Sequence, residues 1–291
     1  MAGREFGTGG RPAGVRGSIA YAIRSASSYR VQAALRLPSP RYRLRFAPPG
    51  EEDRATDVLG TFKRDGIVVL PAFIEEPRLG RVQAAFAAAV QEPSAEIRDA
   101  LEDNDVLRTA PAFLDVALDD LVLDVVARYY RRPYFVGRAK ACRLLPSEPA
   151  HYGSFQWHHD TRGKQAKMMV LLNGVDPEGQ RMRYRRGTHK HFYSYDRMYG
   201  PASRFEDDLQ HESTNGGDIV EVVGPPGTIA LFDSNGLHSG TRNLAAPRDT
   251  LIVSYTTGRN VRPLHYRRSD LAALPAAKRR IVTANPKHVL V

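Results

Sequence analysis

The sequence of 291 residues contains a single cysteine, Cys142. One cysteine excludes an internal disulfide and a thiolate metal cluster, so any bound metal must be held by nitrogen and oxygen ligands. The thiol itself is interpreted as a small, buried apolar group. This composition is compatible with a reducing compartment, and we expect a cytoplasmic protein.

Long apolar runs are also missing from the chain. No uninterrupted apolar stretch approaches the ~18 residues of a membrane span. The most hydrophobic piece, residues 67–74, has the length of a strand and contains Pro71. The hydrophobic content of 42% and the charged content of 25% are those of an ordinary globular protein. The composition therefore excludes a largely disordered chain and predicts no membrane partner.

Acidic residues are scarce at the amino terminus. Residues 1–50 contain nine arginines, no lysine and one acid, Glu5, and so carry most of the net charge of +10. The nearly neutral body argues against nucleic acid as a partner, because such affinity comes from many phosphate contacts on a folded face. We interpret residues 1–50 as a basic arm, either a transit peptide or a consequence of high-GC coding. The breaker cluster at residues 48–50 predicts the boundary with a folded domain over residues 51–291.

Hydrophobic spacing predicts helices first and strands second. Helices are predicted over residues 57–63, 78–90 and 112–130, with a buried strand over 67–70. After Pro133, strands are predicted over residues 134–145, 154–160, 167–172, 218–223, 228–232 and 250–256. This order indicates a mainly β fold with flanking helices (α+β), built as a sandwich or small barrel. The polar and aromatic residues 191–217 predict a lid-like insertion.

Two histidines and one aspartate form a candidate metal site. On a strand over residues 154–160, His158 and Asp160 would project from one face and His159 from the other. His238, just beyond the predicted strand 228–232, is the candidate third ligand. Two histidines and a carboxylate that leave open metal positions are typical of non-haem Fe(II) oxygenases. The same three side chains would also suit a zinc hydrolase.

Polar residues downstream of this site could hold an anionic co-substrate. Arg248 follows His238 by ten residues, and Thr250 shares its strand face. A guanidinium beside a hydroxyl can grip a carboxylate through two hydrogen bonds. Lys167 could meet a carboxylate of substrate or co-substrate, or could lie on a solvated edge.

Four further residues are candidates for substrate binding: Gln156, Arg183, Arg185 and Asn243. Gln156 shares the predicted face of the metal ligands, and its alternative role is a hydrogen bond within the strand. Arg183 and Arg185 alternate with apolar residues, so they share one face. If that face lines the pocket, the substrate should be anionic or rich in hydroxyls, whereas a solvated row of charges is the alternative.

Five motifs occur in a fixed order over roughly residues 60–258. They are DGIVVLPAF at 65–73, WHHD at 157–160, GTHK at 187–190, GTIALF at 227–232, and the interval from His238 through Asn243 to Arg248. This order resembles the phytanoyl-CoA dioxygenase-like family of Fe(II)/2-oxoglutarate-dependent oxygenases. Arg186 departs from the family, whose members usually have proline there, and this departure concerns the substrate side.

The resemblance implies a double-stranded β-helix, which is a cupin-like jelly roll, with Fe(II) as cofactor and 2-oxoglutarate and O2 as co-substrates. It implies Fe(II) ligation by His158, Asp160 and His238, and a contact of Arg248, assisted by Thr250, with the distal carboxylate of 2-oxoglutarate. The expected function is hydroxylation or a related C–H oxidation of a small polar metabolite of specialised biosynthesis. A zinc-dependent hydrolase and a non-catalytic cupin-like binding protein are the alternatives.

Overall fold

A computed structural model describes residues 45–46, 48–150, 153–160, 164–190, 219–258 and 261–291. Residues 1–44 of the predicted basic arm lie outside these ranges. The predicted lid-like insertion, residues 191–217, lies outside them as well. Both interpretations therefore stay predictions, as does the boundary after residue 50.

Most helices lie in the first half of the described chain, and most strands follow them. The helices are α1 (Glu52–Asp65), α2 (Arg78–Ala89), α3 (Pro111–Ala117), α4 (Asp120–Tyr130), α5 (Arg268–Ala273) and α6 (Ala276–Thr283). The strands are β1 (Ile67–Leu70), β2 (Ala100–Asp103), β3 (Phe135–Leu144), β4 (Ala166–Leu171), β5 (Met182–Arg185), β6 (Ile219–Val222), β7 (Thr228–Asp233), β8 (His238–Gly240), β9 (Arg248–Thr256), β10 (Leu264–Tyr266) and β11 (His288–Leu290). No helix within the described ranges is long and apolar enough to cross a membrane.

Two antiparallel sheets pack face to face. The larger sheet has the order β1-β7-β4-β9-β3-β2 and the smaller one the order β6-β5-β8. A shared apolar cluster joins them, with Met169 and Phe232 from the larger sheet against Met182 and Tyr184 from the smaller. The predicted mainly β fold with flanking helices is thereby confirmed as a jelly-roll arrangement, although its sheets do not close into a barrel.

The helices cover the opposite face of the larger sheet. On β4, Met168 and Val170 pack into the helical cluster while Met169 faces the smaller sheet. A strand that is buried on both faces has a continuous run of apolar residues in its sequence, which explains why the position of β4 was predictable. Helix α1 contributes one apolar stripe to this layer, which includes Val58 and Phe62.

Two sequence predictions need correction. The helix predicted over residues 112–130 is broken into α3 and α4, because the Asp119 side chain accepts a hydrogen bond from Val122 N (3.2 Å) and starts a new helix. The strand predicted over residues 154–160 does not form. A short 3-10 turn, Gly153–Phe155, is followed instead by a single β-bridge between His158 and His238.

Candidate active site

The three predicted metal ligands converge at one end of the space between the sheets. Each of His158, Asp160 and His238 offers a ligand atom, and these atoms lie within 4.8 Å of one another. The Nε2 atoms of His158 and His238 lie 3.6 Å and 3.5 Å from the two carboxylate oxygens of Asp160. This donor set and spacing fit a metal bound on one triangular face of its coordination sphere.

Backbone hydrogen bonds produce this convergence. His158 N donates to His238 O (3.0 Å), and His238 N donates to His158 O (2.9 Å). Asp160 N donates to Ser234 O (2.9 Å), in the loop that connects β7 to β8. The β-bridge and the loop contact therefore replace the strand alternation from which the site was predicted.

Both histidine rings are oriented by backbone carbonyls. Their Nδ1 atoms lie 2.8 Å from Gln156 O and 2.9 Å from Gly236 O. Since a carbonyl only accepts, each Nδ1 carries the proton and each Nε2 keeps a lone pair for a metal. Gly236 allows this arrangement because a Cβ at this position would overlap the Tyr184 hydroxyl.

The charges of the site favour metal binding at neutral pH. Burial alone would raise the pKa of Asp160, but the Lys167 ammonium and the His238 ring outweigh it and hold that pKa well below its usual range. Burial, helped by His158, lowers the pKa of His238 against the opposing effect of Asp160. An ionised carboxylate beside a neutral imidazole is the state that binds metal without releasing protons.

The metal ligands open into a cavity of about 320 Å³ between the two sheets. Its walls are formed by alternate residues of β3, β4 and β9. The residues that line it include Glu96, Arg138, Lys140, Cys142, Phe155, His158, Asp160, Lys167, Met169, Met182, Phe232, His238, Arg248, Thr250, Ile252 and Ser254. The cavity therefore contains the metal ligands and all three residues predicted to bind 2-oxoglutarate.

The Arg248 guanidinium has an N–H group that could donate to an anion. Its Nη1 donates to Gln180 O (2.8 Å), whereas its Nε is buried and has no hydrogen-bond partner among the described residues. Thr250 Oγ1, which lies on the same wall, donates to Cys142 O (3.2 Å). A guanidinium with an unused N–H fits the carboxylate of a co-substrate.

The predicted substrate-binding residues Gln156, Arg183, Arg185 and Asn243 do not line this cavity. Strand β5 buries Met182 toward the cavity, so its alternation turns Arg183 and Arg185 away from it. Asn243 Nδ2 donates to Glu178 O (2.7 Å) at an exposed turn. Gln156 contributes its backbone carbonyl to the metal site, where this group orients the His158 ring.

Sequence reasoning missed the cations of β3. Arg138 and Lys140 line the cavity from this strand. Lys140 Nζ lies 2.5 Å from Glu102 Oε1, and both side chains are buried. The available signal was the spacing of two charges, two residues apart, within a segment of β3 that is otherwise apolar through Cys142.

The Lys140–Glu102 pair should contribute strongly to stability. We expect Lys140→Met to lower the free energy of unfolding by about 3–5 kcal/mol, because it leaves a buried carboxylate without its partner. The double variant Lys140→Met/Glu102→Leu should recover most of this loss. Denaturant unfolding measures both values, and an equal loss in the single and double variants would contradict the expectation.

Lys167 contacts Asp160 Oδ2 directly and should support metal binding. We expect Lys167→Met to weaken Fe(II) affinity by roughly 10–100-fold, as is common when a partner of a metal ligand is removed. Lys164→Met is the matched control, because Lys164 contacts Tyr129 and does not line the cavity. Equal Fe(II) affinities in the two variants would assign Lys167 to another role.

Comparisons with known proteins identify the family and the fold of this chain. A family model described as Phytanoyl-CoA dioxygenase (PhyH) matches residues 62–248. Comparison with the curated proteins gives no match.

Solved structures show the same fold. EctD from S. alaskensis with 2-oxoglutarate and 5-hydroxyectoine is 20% identical over 84% of this chain and 91% of that chain, with a TM-score of 0.57. HygX from Streptomyces hygroscopicus with nickel, 2-oxoglutarate and hygromycin B is 18% identical over 72% and 90%, with a TM-score of 0.53. The epimerase SnoN from nogalamycin biosynthesis, in complex with Fe3+, alpha ketoglutarate and nogalamycin RO, is 16% identical over 70% and 84%, with a TM-score of 0.53.

The family match includes both metal-site segments and ends at Arg248, the residue whose guanidinium lines the cavity. The chain therefore belongs to the phytanoyl-CoA dioxygenase family of Fe(II)/2-oxoglutarate-dependent enzymes.

Proposed function

We propose that this protein is a dioxygenase that oxidises a C–H bond of a small polar metabolite of specialised biosynthesis, with 2-oxoglutarate and O2 as co-substrates. The observation that carries the proposal is the presence, in one cavity, of three convergent metal ligands and an arginine whose buried Nε has no described hydrogen-bond partner. The cavity volume of about 320 Å³ lies within the range of small-molecule sites.

Each residue has a role in this proposal. His158, Asp160 and His238 would hold Fe(II), and Lys167 would keep the Asp160 carboxylate ionised and in place. Arg248, with Thr250 beside it, would bind the distal carboxylate of 2-oxoglutarate and so set its orientation. Bound Fe(II) would allow O2 to act as the oxidant: one oxygen atom of O2 would enter succinate as 2-oxoglutarate loses CO2, and the other would oxidise the substrate C–H bond.

The ligands of similar structures support a small-molecule substrate. The similar structures contain 5-hydroxyectoine, hygromycin B and nogalamycin RO. They also include an epimerase and a carbocyclase, so the shared fold is compatible with several outcomes for the oxidised substrate. Hydroxylation is the outcome we propose, with ring closure as a related C–H oxidation.

An anaerobic titration tests this function. Protein with Fe(II) and 2-oxoglutarate should develop the visible charge-transfer band of a chelated keto acid, and admission of O2 should then produce succinate. A parallel sample with Zn(II) addresses hydrolase chemistry on the same three ligands. Absence of both the band and succinate in the Fe(II) sample, with stoichiometric Zn(II) binding, would favour the hydrolase.

A further inference from the structure

Two cations on the cavity wall have no role in the proposed chemistry. Arg138 and Lys140 lie two residues apart on the cavity face of β3, so their Cα atoms are about 7 Å apart. Their register partners on β9, Ser254 and Ile252, line the cavity as well. Together these residues form one end of the wall.

Arg248 belongs to the other end of the same wall. It pairs with Leu144, six residues along β3 from Arg138, which is a separation of about 20 Å along the strand. Lys167, the partner of Asp160, pairs with Ser254 and therefore lies at the Arg138 end. A 2-oxoglutarate molecule that extends from the metal to Arg248 thus points away from Arg138.

The Arg138 guanidinium retains unused donors. Its Nη2 donates to Glu96 Oε2 (2.9 Å) and Asn104 Oδ1 (2.6 Å). Its Nη1 and Nε make no hydrogen bond with the part of the chain that the structure describes. Glu96 therefore anchors one edge of the guanidinium and leaves another edge available.

The charges around this end of the cavity do not cancel. Glu96 lies between two guanidiniums, since its Oε1 also accepts from Arg262 Nη2 (2.6 Å). Burial would raise the pKa of Glu96, but Arg138 and Arg262 lower it to about 2. This trio carries one net positive charge, whereas Lys140 and Glu102 neutralise each other. The charges of Fe(II) and 2-oxoglutarate cancel, as do those of Lys167 and Asp160, and Arg248 adds a positive charge. These groups and their ion-pair partners therefore remain cationic in sum when both are bound.

We infer that Arg138, anchored by Glu96 and Asn104, is the binding subsite for a carboxylate or phosphate group of the primary substrate. This inference rests on the proposed function and specifies the substrate class as an anionic metabolite. Binding of the anion at Arg138 would place the rest of the molecule between β3 and the metal ligands. The Nη1 group of Arg138, which has no hydrogen-bond partner among the described residues, can donate to either oxyanion.

The test compares an acid with its uncharged analogue. Protein loaded with Fe(II) and saturating 2-oxoglutarate, without O2, is titrated calorimetrically with phenylacetate, phenyl phosphate and phenylacetamide. At least one acid should bind about tenfold or more tightly than the amide, as expected for a charge-assisted hydrogen bond. Whichever acid binds more tightly identifies the preferred anion.

Variants locate the preference. Arg138→Gln should remove this preference while 2-oxoglutarate affinity changes less than about twofold. Glu96→Gln should increase the preference, because glutamine can still accept the hydrogen bond from Arg138 but carries no negative charge. The matched control is Arg143→Gln, because Arg143 lies on the opposite face of β3 and pairs with Asp249. Glu96→Gln also keeps the test valid if Arg138→Gln fails to fold.

Several results would overturn the subsite. These are equal binding of acids and amide, no binding of either acid, competition of the acids with 2-oxoglutarate, or a preference that survives Arg138→Gln. If the protein fails to bind 2-oxoglutarate at all, the proposed function fails as well. Normal 2-oxoglutarate binding without a preference for the acids would overturn the subsite alone.

Discussion

Alanine in place of His158, Asp160 or His238 should abolish stoichiometric Fe(II) binding and succinate formation. We expect each loss to exceed the roughly 10–100-fold cost of removing an outer-shell partner, because each variant deletes one of three ligands. The fold should persist, since the hydrogen bonds that hold these segments run between backbone atoms of His158 and His238 and of Asp160 and Ser234. Metal content after dialysis, the keto-acid band and denaturant unfolding measure these outcomes.

His159→Gln is the matched control for this series. His159 is fully buried beside the site, but it is absent from the cavity lining. The variant should keep its iron and its turnover even if its stability falls. A dead His159→Gln together with an active His158→Ala would show that the ligand assignment is displaced by one residue.

Arg248→Ala should raise the dissociation constant of 2-oxoglutarate strongly. Loss of a buried, charge-assisted carboxylate pair should cost about 2–5 kcal/mol, by analogy with buried interfacial charge pairs. This corresponds to roughly 30-fold to several thousand-fold in affinity. Anaerobic titration of the charge-transfer band with 2-oxoglutarate measures the change directly, and Fe(II) affinity should stay close to that of the unaltered protein.

The Arg242→Ala variant distinguishes a role in 2-oxoglutarate binding from a role in stabilising the fold. Arg242 is buried, and its guanidinium donates to the carbonyls of Arg98, Asp99 and Leu145 at 2.7–3.2 Å. Its loss should therefore lower the free energy of unfolding and leave the 2-oxoglutarate constant nearly unchanged. If Arg242→Ala weakens 2-oxoglutarate binding and Arg248→Ala does not, Arg242 holds the co-substrate.

Local hydrophobic spacing was sufficient to predict most of the scaffold. The buried strands β4, β7 and β9 lie within two residues of their predicted bounds, because a strand covered on both faces is recognisable as a short apolar run. The candidate metal ligands were also identifiable in advance. Their chemistry is distinctive, and the motifs around them resemble those of one family.

The route by which these ligands meet depends on tertiary structure. His158 and Asp160 come together without a strand, because a bridge to His238 and a contact with Ser234 hold a segment that local pattern alone predicted as extended. Residues that are 74 and 80 positions apart along the chain supply these hydrogen bonds. The spacing of residues within either segment does not predict that the two segments pair.

Tertiary structure also decided which charges face the cavity. Alternation correctly placed Arg183 and Arg185 on one face of β5, yet that face turns away from the cavity, whereas Arg138 and Lys140 of β3 line it. A period of two specifies which residues of a strand share a side. Only the packing of one sheet against the other determines which side encloses the site, since that choice depends on apolar burial summed over all the strands.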